Sequence, residues 1–128
     1  MDFESQKPIY IQIADLICER ILRGKYVPGG RIPSIRDFSV ELEVNPNTVF
    51  KTYSYLQSMG IIMTLRGRGF FVSEDGYKLV LDMWRKRFLE EELPDVFKKM
   101  RFLKISFKEL KSYYDKLEEG EFYEKKDF

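Results

Sequence analysis

The stretch Ser34-Ile35-Arg36-Asp37-Phe38-Ser39-Val40-Glu41-Leu42-Glu43-Val44-Asn45-Pro46-Asn47-Thr48-Val49-Phe50-Lys51-Thr52-Tyr53-Ser54-Tyr55-Leu56-Gln57-Ser58-Met59-Gly60 decides how this chain folds. Ser34 brings a hydroxyl that accepts from the free N–H groups of a helix start, and Asp37 three residues on completes a capping-box pattern. Ile35, Phe38 and Leu42 recur at helical spacing, and this helix ends near Glu43. Asn45 is a second cap, and Pro46 suits the first helical position, where its missing N–H costs nothing. Val49, Thr52, Tyr53 and Leu56 then share one side. Asn47, Lys51, Ser54 and Ser58 share the other, with Thr48 and Tyr55 flanking, and Gly60 closes the helix. Two short helices so close together, the second polar and acid-free on its outer face, form a helix-turn-helix pattern.

Upstream, Ile13, Leu16, Ile17 and Ile21 predict a helix from about Pro8 to Arg23, with Gly24 at the C-terminal cap and Pro28-Gly29 as a turn. Downstream, the β-prone runs Ile61–Thr64 and Phe70–Val72 flank Leu65-Arg66-Gly67-Arg68-Gly69. They read as a hairpin with two arginines at its tip, the wing of a winged helix. After Asp75-Gly76 the composition shifts to charged amphipathic helix. Tyr77, Val80, Leu81, Trp84 and Phe88 form a stripe that Pro94 is expected to interrupt, followed by Val96, Phe97 and Met100. Ser106 with Glu109 forms another capping box before Phe107, Leu110, Tyr114 and Leu117, and the charged end from Gly120 to Phe128 is expected to fray. The expected fold class is mainly α with a small β-hairpin. A winged helix-turn-helix occupies residues 1–75, and a short helical region occupies residues 76–128.

The chain has 128 residues, 44% of them apolar and 16% aromatic, which is enough for a small packed core. No apolar run reaches the roughly 18 residues of a membrane span. The start Met1-Asp2-Phe3-Glu4-Ser5 lacks the pattern of a secretion signal, so a cytoplasmic location without membrane contact is expected. Cys18 is the single cysteine and histidine is absent, which removes an internal disulfide, the commonest general base and a typical zinc site. The acids lie scattered among lysines at exposed helical spacings. No catalytic set converges, so the expectation is a protein that is not an enzyme and needs neither metal nor cofactor. The net charge is only +1, yet no Asp or Glu occurs from Val44 through Ser73, where Lys51, Arg66 and Arg68 all lie. A nearly neutral chain of this kind still presents one cationic face, and double-stranded DNA is the partner that such a face on a helix-turn-helix fits.

The blocks Gly24, Pro28-Gly29-Gly30-Arg31-Ile32-Pro33-Ser34, Arg36, Val44, Thr48-Val49, Leu56, Gly60-Ile61-Ile62 and Gly67-Arg68-Gly69-Phe70-Phe71-Val72 stand in an order that resembles the DNA-binding domain of the GntR superfamily of bacterial regulators. Pro8-Ile9-Tyr10-Ile11-Gln12-Ile13 and Val44-Asn45-Pro46-Asn47-Thr48-Val49 look like its YtrA-type subfamily. The resemblance implies DNA contact by Arg36, by Asn47, Thr48 and Lys51 of the recognition-helix region, and by Arg66, Gly67 and Arg68 of the wing. The chain departs from the wider family at Pro46 and Phe50, where many members carry arginines that touch DNA, so base specificity does not transfer.

Each of these residues has a plainer reading. Arg36 offers bidentate donors to guanine or phosphate, or else pairs with Asp37 or Glu41; the motif favours DNA. Asn47 and Thr48 either meet DNA or serve the helix N-terminus, and Lys51 either meets a phosphate or is an unattached surface lysine. Tyr55 either reaches the backbone or packs against the wing. The glycines of the wing allow a tight turn and close approach to the sugar-phosphate backbone. A nucleotide-binding glycine loop does not fit, because no helix follows it.

Two or three amphipathic helices beyond residue 76 bury little by themselves. Trp84, Phe88, Phe97, Phe107 and Tyr114 are therefore candidates for a homodimer interface, as the resemblance also implies; the rival is packing back onto the winged helix. The expected function is a dimeric, sequence-specific repressor on an inverted-repeat operator. An unidentified small-molecule effector in an aromatic-lined pocket stays open as a further partner. The alternative is a winged-helix protein-interaction module without specific DNA binding.

Overall fold

The computed structural model describes residues 7–117, so the fraying expected from Gly120 to Phe128 falls outside the described residues. The chain divides into two compact units, one ending at Met83 and the other beginning at Trp84. The first contains α1 (Ile9–Leu22), β1 (Arg31–Ile32), α2 (Ile35–Leu42), α3 (Pro46–Ser58), β2 (Ile62–Leu65), β3 (Gly69–Val72) and the start of α4 (Gly76–Arg87). Each helix start follows its capping chemistry. The Asp37 N–H donates to Ser34 Oγ at 3.0 Å, and the Asn47 N–H donates to Asn45 Oδ1 at 2.7 Å. Between α2 and α3 the chain turns at Glu43, whose φ of 56° lies in the left-handed region.

The wing is one edge of a three-stranded antiparallel sheet with order β1-β3-β2. Ile62 faces Val72 and Leu65 faces Gly69 across the hairpin, while Arg31 and Ile32 pair with Phe71 and Phe70 on the other side. β1 is a two-residue strand, too short for an alternation pattern to mark it in the sequence. The ladder is extended by the Gly29 N–H to Val72 O and the Val72 N–H to Gly30 O.

The core lies between α1, the buried sides of α2 and α3, and the sheet. Ile17, Ile21, Ile32, Phe38, Val49, Tyr53, Leu56, Ile61 and Val72 are all almost fully buried. Tyr53 packs edge-on against Phe70 of β3 and at a tilt against Phe38 of α2. Its hydroxyl donates to Pro33 O at 2.7 Å, which satisfies the one polar atom that its burial would strand. Thr52, also buried, donates to Tyr10 O at 2.9 Å and so fixes α3 against the start of α1. Arg20 is a buried cation that the pattern of α1 does not reveal. Its guanidinium donates to the Tyr26 hydroxyl at 2.7 Å and to Glu41 at 3.0 Å, and it lies over the Phe38 ring. That ties α1 to α2.

The first turns of α4 belong to this unit. A Cβ on Gly76 would stand 2.6 Å from Val72 Cγ1 and 2.8 Å from Ile61 O, so a side chain there cannot be accommodated without moving backbone. Val80, one turn later, is fully buried.

Beyond Met83 the chain runs from the end of α4 through a π-helical turn (Phe88–Glu92) into α5 (Leu93–Leu103) and then α6 (Phe107–Lys116). Pro94 does not interrupt the helical path. The Leu93 N–H bonds back five residues to Phe88 O, which is the wide π spacing, and Pro94 sits just inside the start of α5, where its lack of an N–H is harmless. α6 starts as its sequence predicts, with the Glu109 N–H donating to Ser106 Oγ at 3.1 Å. The π turn, α5 and α6 contain no buried residue among those described.

Candidate nucleic-acid interface

The side chains that the sequence reading puts on the outside of α3 are outside. Asn47, Lys51, Ser54 and Ser58 are exposed, Thr48 and Tyr55 are half-buried at the flanks, and Val49, Thr52, Tyr53 and Leu56 are buried. The reason is the 3.6-residue period: the four apolar or back-bonded positions seat the helix, and the remaining stripe is left to solvent. Asn45 caps the helix by accepting from the Asn47 backbone N–H, and the Asn47 side-chain amide has no hydrogen bond among the described residues. Arg36 is exposed on the first turn of α2. Glu41, its supposed partner, is engaged by Arg20, and among the described residues Arg36 forms no ion pair.

Lys51 is not an unattached lysine. Its ammonium lies 4.3 Å from the centre of the Tyr10 ring, and Tyr10 is in turn held edge-on by Tyr55 at 5.8 Å. Tyr55 therefore packs on α1. A cation held over an aromatic face keeps its charge outward with fewer rotamers to freeze on contact, so Tyr10 restrains Lys51 before any partner arrives. Ile9, Tyr10, Asn45, Asn47, Thr48 and Lys51 line a shallow open depression where the starts of α1 and α3 meet.

At the wing, Arg66, Gly67 and Arg68 are exposed. The Arg68 N–H donates to Leu65 O at 2.8 Å, closing a turn in which Gly67 takes φ of 76°, a conformation that favours glycine. Arg31 joins them at the base of the wing: its Nε and one terminal nitrogen lie 3.2 Å from where a Cβ on Gly69 would stand. Glycine at 69 thus leaves room for a guanidinium to lie along the strand. Arg31 and Tyr10 stand in blocks that resemble the family, but the sequence reading gives neither a role in the interface. Arg31 is on the undetected strand, and the role of Tyr10 depends on a contact across more than forty residues of chain.

Arg31, Arg36, Lys51, Arg66 and Arg68 are all exposed in the first unit, and none forms an ion pair among the described residues. With no acid between Val44 and Ser73, where three of the five lie, the set combines one point charge with four planar bidentate donors, and the Asn47 side chain adds an amide. Among the described residues no group of acids, cysteines or histidines could hold a metal ion, and no helix is long and apolar enough to cross a membrane.

Residues 9–72 match the family of bacterial regulatory proteins known as the gntR family. The chain belongs to the GntR family. As a member of it, the chain is a DNA-binding transcription regulator with a winged helix. The HTH-type transcriptional repressor YtrA of Bacillus subtilis is 41% identical to this GntR protein over 93 residues, which is 73% of this chain and 71% of the relative. A solved GntR-family regulator from Bacteroides thetaiotaomicron superposes with a TM-score of 0.69 at 42% identity, covering 88% of this chain and 98% of its own. The DNA-binding domain of AraR, solved in complex with operator ORX1, superposes with a TM-score of 0.52 at 30% identity, covering 55% of this chain and 84% of its own.

Of the residues expected at the dimer interface, Phe88, Phe97, Phe107 and Tyr114 are exposed. Trp84 is half-buried; Arg87 lies 4.8 Å over its ring, and its indole N–H has no hydrogen-bond partner among the described residues.

Proposed function

We propose that this GntR protein is a cytoplasmic, dimeric repressor that binds an inverted-repeat operator through the outer face of α3, supported by Arg36 of α2 and by the wing. It does so as a binding protein, without catalysis. The observation that carries the reading is a set of exposed cations without acidic partners among the described residues, on a fold whose α3 has a polar, acid-free outer side. In this assignment Lys51 meets a phosphate, Arg36 and Asn47 meet base edges or phosphates, Thr48 supports the backbone contact, and Arg66, Gly67 and Arg68 approach the minor groove, where arginine exploits negative potential. That the similar AraR DNA-binding domain was solved in complex with an operator supports duplex DNA as the partner of this fold.

A single winged helix offers few contacts, whereas a two-fold dimer links two half-sites and multiplies their affinities. The exposure of Phe88, Phe97, Phe107 and Tyr114 supports pairing through the 76–128 region, with these four and the half-buried Trp84 at the contact. An effector that altered the separation of the two winged helices would release the operator, because half-site spacing is a geometric property of the dimer.

The test has two parts. Selection of bound duplexes from a random pool is expected to enrich an inverted repeat, and sedimentation equilibrium is expected to show a dimer. Recovery of unenriched DNA would remove the specific-repressor reading, and a monomer at micromolar concentration would remove the dimer.

A further inference from the structure

Phe50 has no evident place in either the core or the cationic set. It lies on α3, three residues after Asn47 and four before Ser54, and 59% of it is exposed. At about 100° per residue it projects roughly 60° from Asn47 and roughly 100° from Lys51. It therefore occupies the flank of the outer face away from Lys51 and Tyr10. Gln57, two turns along on the same flank, reaches the wing side, donating to Thr64 Oγ1 at 2.8 Å. A phenyl ring held in water on a helix is unfavourable unless something covers it, since burial removes its apolar surface from water. No ring contact to Phe50 occurs among the described residues. The stripe around it is uncharged or positive, which does not resemble the apolar surroundings of a protein-docking patch.

We infer that Phe50 reads DNA sequence by packing on the 5-methyl group of a thymine in the major groove, next to the base edge that Asn47 faces. This rests on the docking mode proposed above and adds to it a specificity residue that is not a hydrogen-bonding group. The chemistry is selective because thymine alone among the four bases carries an apolar group on its major-groove edge. Cytosine at the same place offers an amino donor that a phenyl ring cannot satisfy, and desolvating it without a partner is unfavourable.

The experiment begins with duplexes selected from a random pool by the full-length protein. The consensus is then resynthesised with deoxyuridine replacing thymine, one position at a time, so that only the methyl group is lost. For the native chain, one thymine in each half-site is expected to weaken binding roughly fourfold when demethylated, the factor to which about 0.8 kcal/mol for a buried carbon corresponds at 1.4 kcal/mol per tenfold. Phe50→Ala, at an exposed helical position, is expected to retain the fold by thermal unfolding and to bind the thymine and deoxyuridine duplexes equally. The inference is overturned if no thymine methyl matters to the native chain, or if the methyl effect survives in Phe50→Ala. Selection that enriches no sequence at all would instead overturn the docking mode itself, and the role of Phe50 with it.

Discussion

The two units of this chain solve the problem of apolar surface in opposite ways. Up to Met83, a helix face or sheet face finds another element of the same unit to cover it, and Phe38, Tyr53 and Leu56 are shielded almost completely. From Trp84 onward, Phe102 is 72% exposed and Phe107 is 70% exposed, and α5 and α6 contain no buried residue. The difference teaches where each unit gets its order. The first is stabilised by its own packing, whereas the second has the amphipathic pattern of a helix that packs but only half of the surface that the pattern needs.

The contrast is sharpest for large-to-small substitutions. Tyr53→Ala is expected to cost about 3–5 kcal/mol in chemical denaturation, because a fully packed ring and its bond to Pro33 are both lost. Phe107→Ala and Phe88→Ala are expected to leave intrachain stability within about 0.5 kcal/mol yet weaken self-association in sedimentation equilibrium. An equal loss of stability at Phe107 and Tyr53 would erase the distinction between the units.

Gly76→Val tests where the first unit ends. The added side chain meets Val72 and the Ile61 carbonyl, so a loss of about 1–3 kcal/mol is expected by the same denaturation assay. By the same logic, a chain cut after Met83 should keep a cooperative thermal transition, while one cut after Ser73 loses the buried Val80 and melts lower. A smaller effect is expected with pH. Burial raises the Tyr53 hydroxyl above its ordinary value of 10.0, so the folded state holds that proton more tightly than the unfolded chain. Stability from this group is intact below pH 10.0 and declines as pH rises beyond it. Tyr53→Phe should flatten that alkaline decline, as followed by urea titration at successive pH values.

Most of the first unit was legible from its sequence because local signals agree with tertiary demand. Ser34 and Asn45 cap, Pro46 starts a helix, and the stripe of Val49, Thr52, Tyr53 and Leu56 is buried as its period requires. What escaped was non-local or short. β1 has two residues; Arg20 is buried only because Tyr26 and Glu41 converge on it; and Tyr10 matters through Lys51. Pro94 misled for a different reason, since proline breaks a helix interior but not a helix start that follows a π turn. Among the interface residues, Arg36, Asn47 and Lys51 could be placed on exposed positions from periodicity, whereas the position of Arg31 against Gly69 required the sheet.

The claim on which all of this depends is that the outer side of α3 and the wing lie against a duplex. The most direct measurement is the salt dependence of affinity for a selected duplex, comparing the native chain with Lys51→Ala/Arg68→Ala. Both positions are exposed, so the fold should persist by thermal unfolding. If each side chain neutralises a phosphate in both half-sites of the dimer, the slope of log affinity against log salt falls in magnitude by about four units. A slope identical to that of the native chain, with the fold intact, would contradict the account.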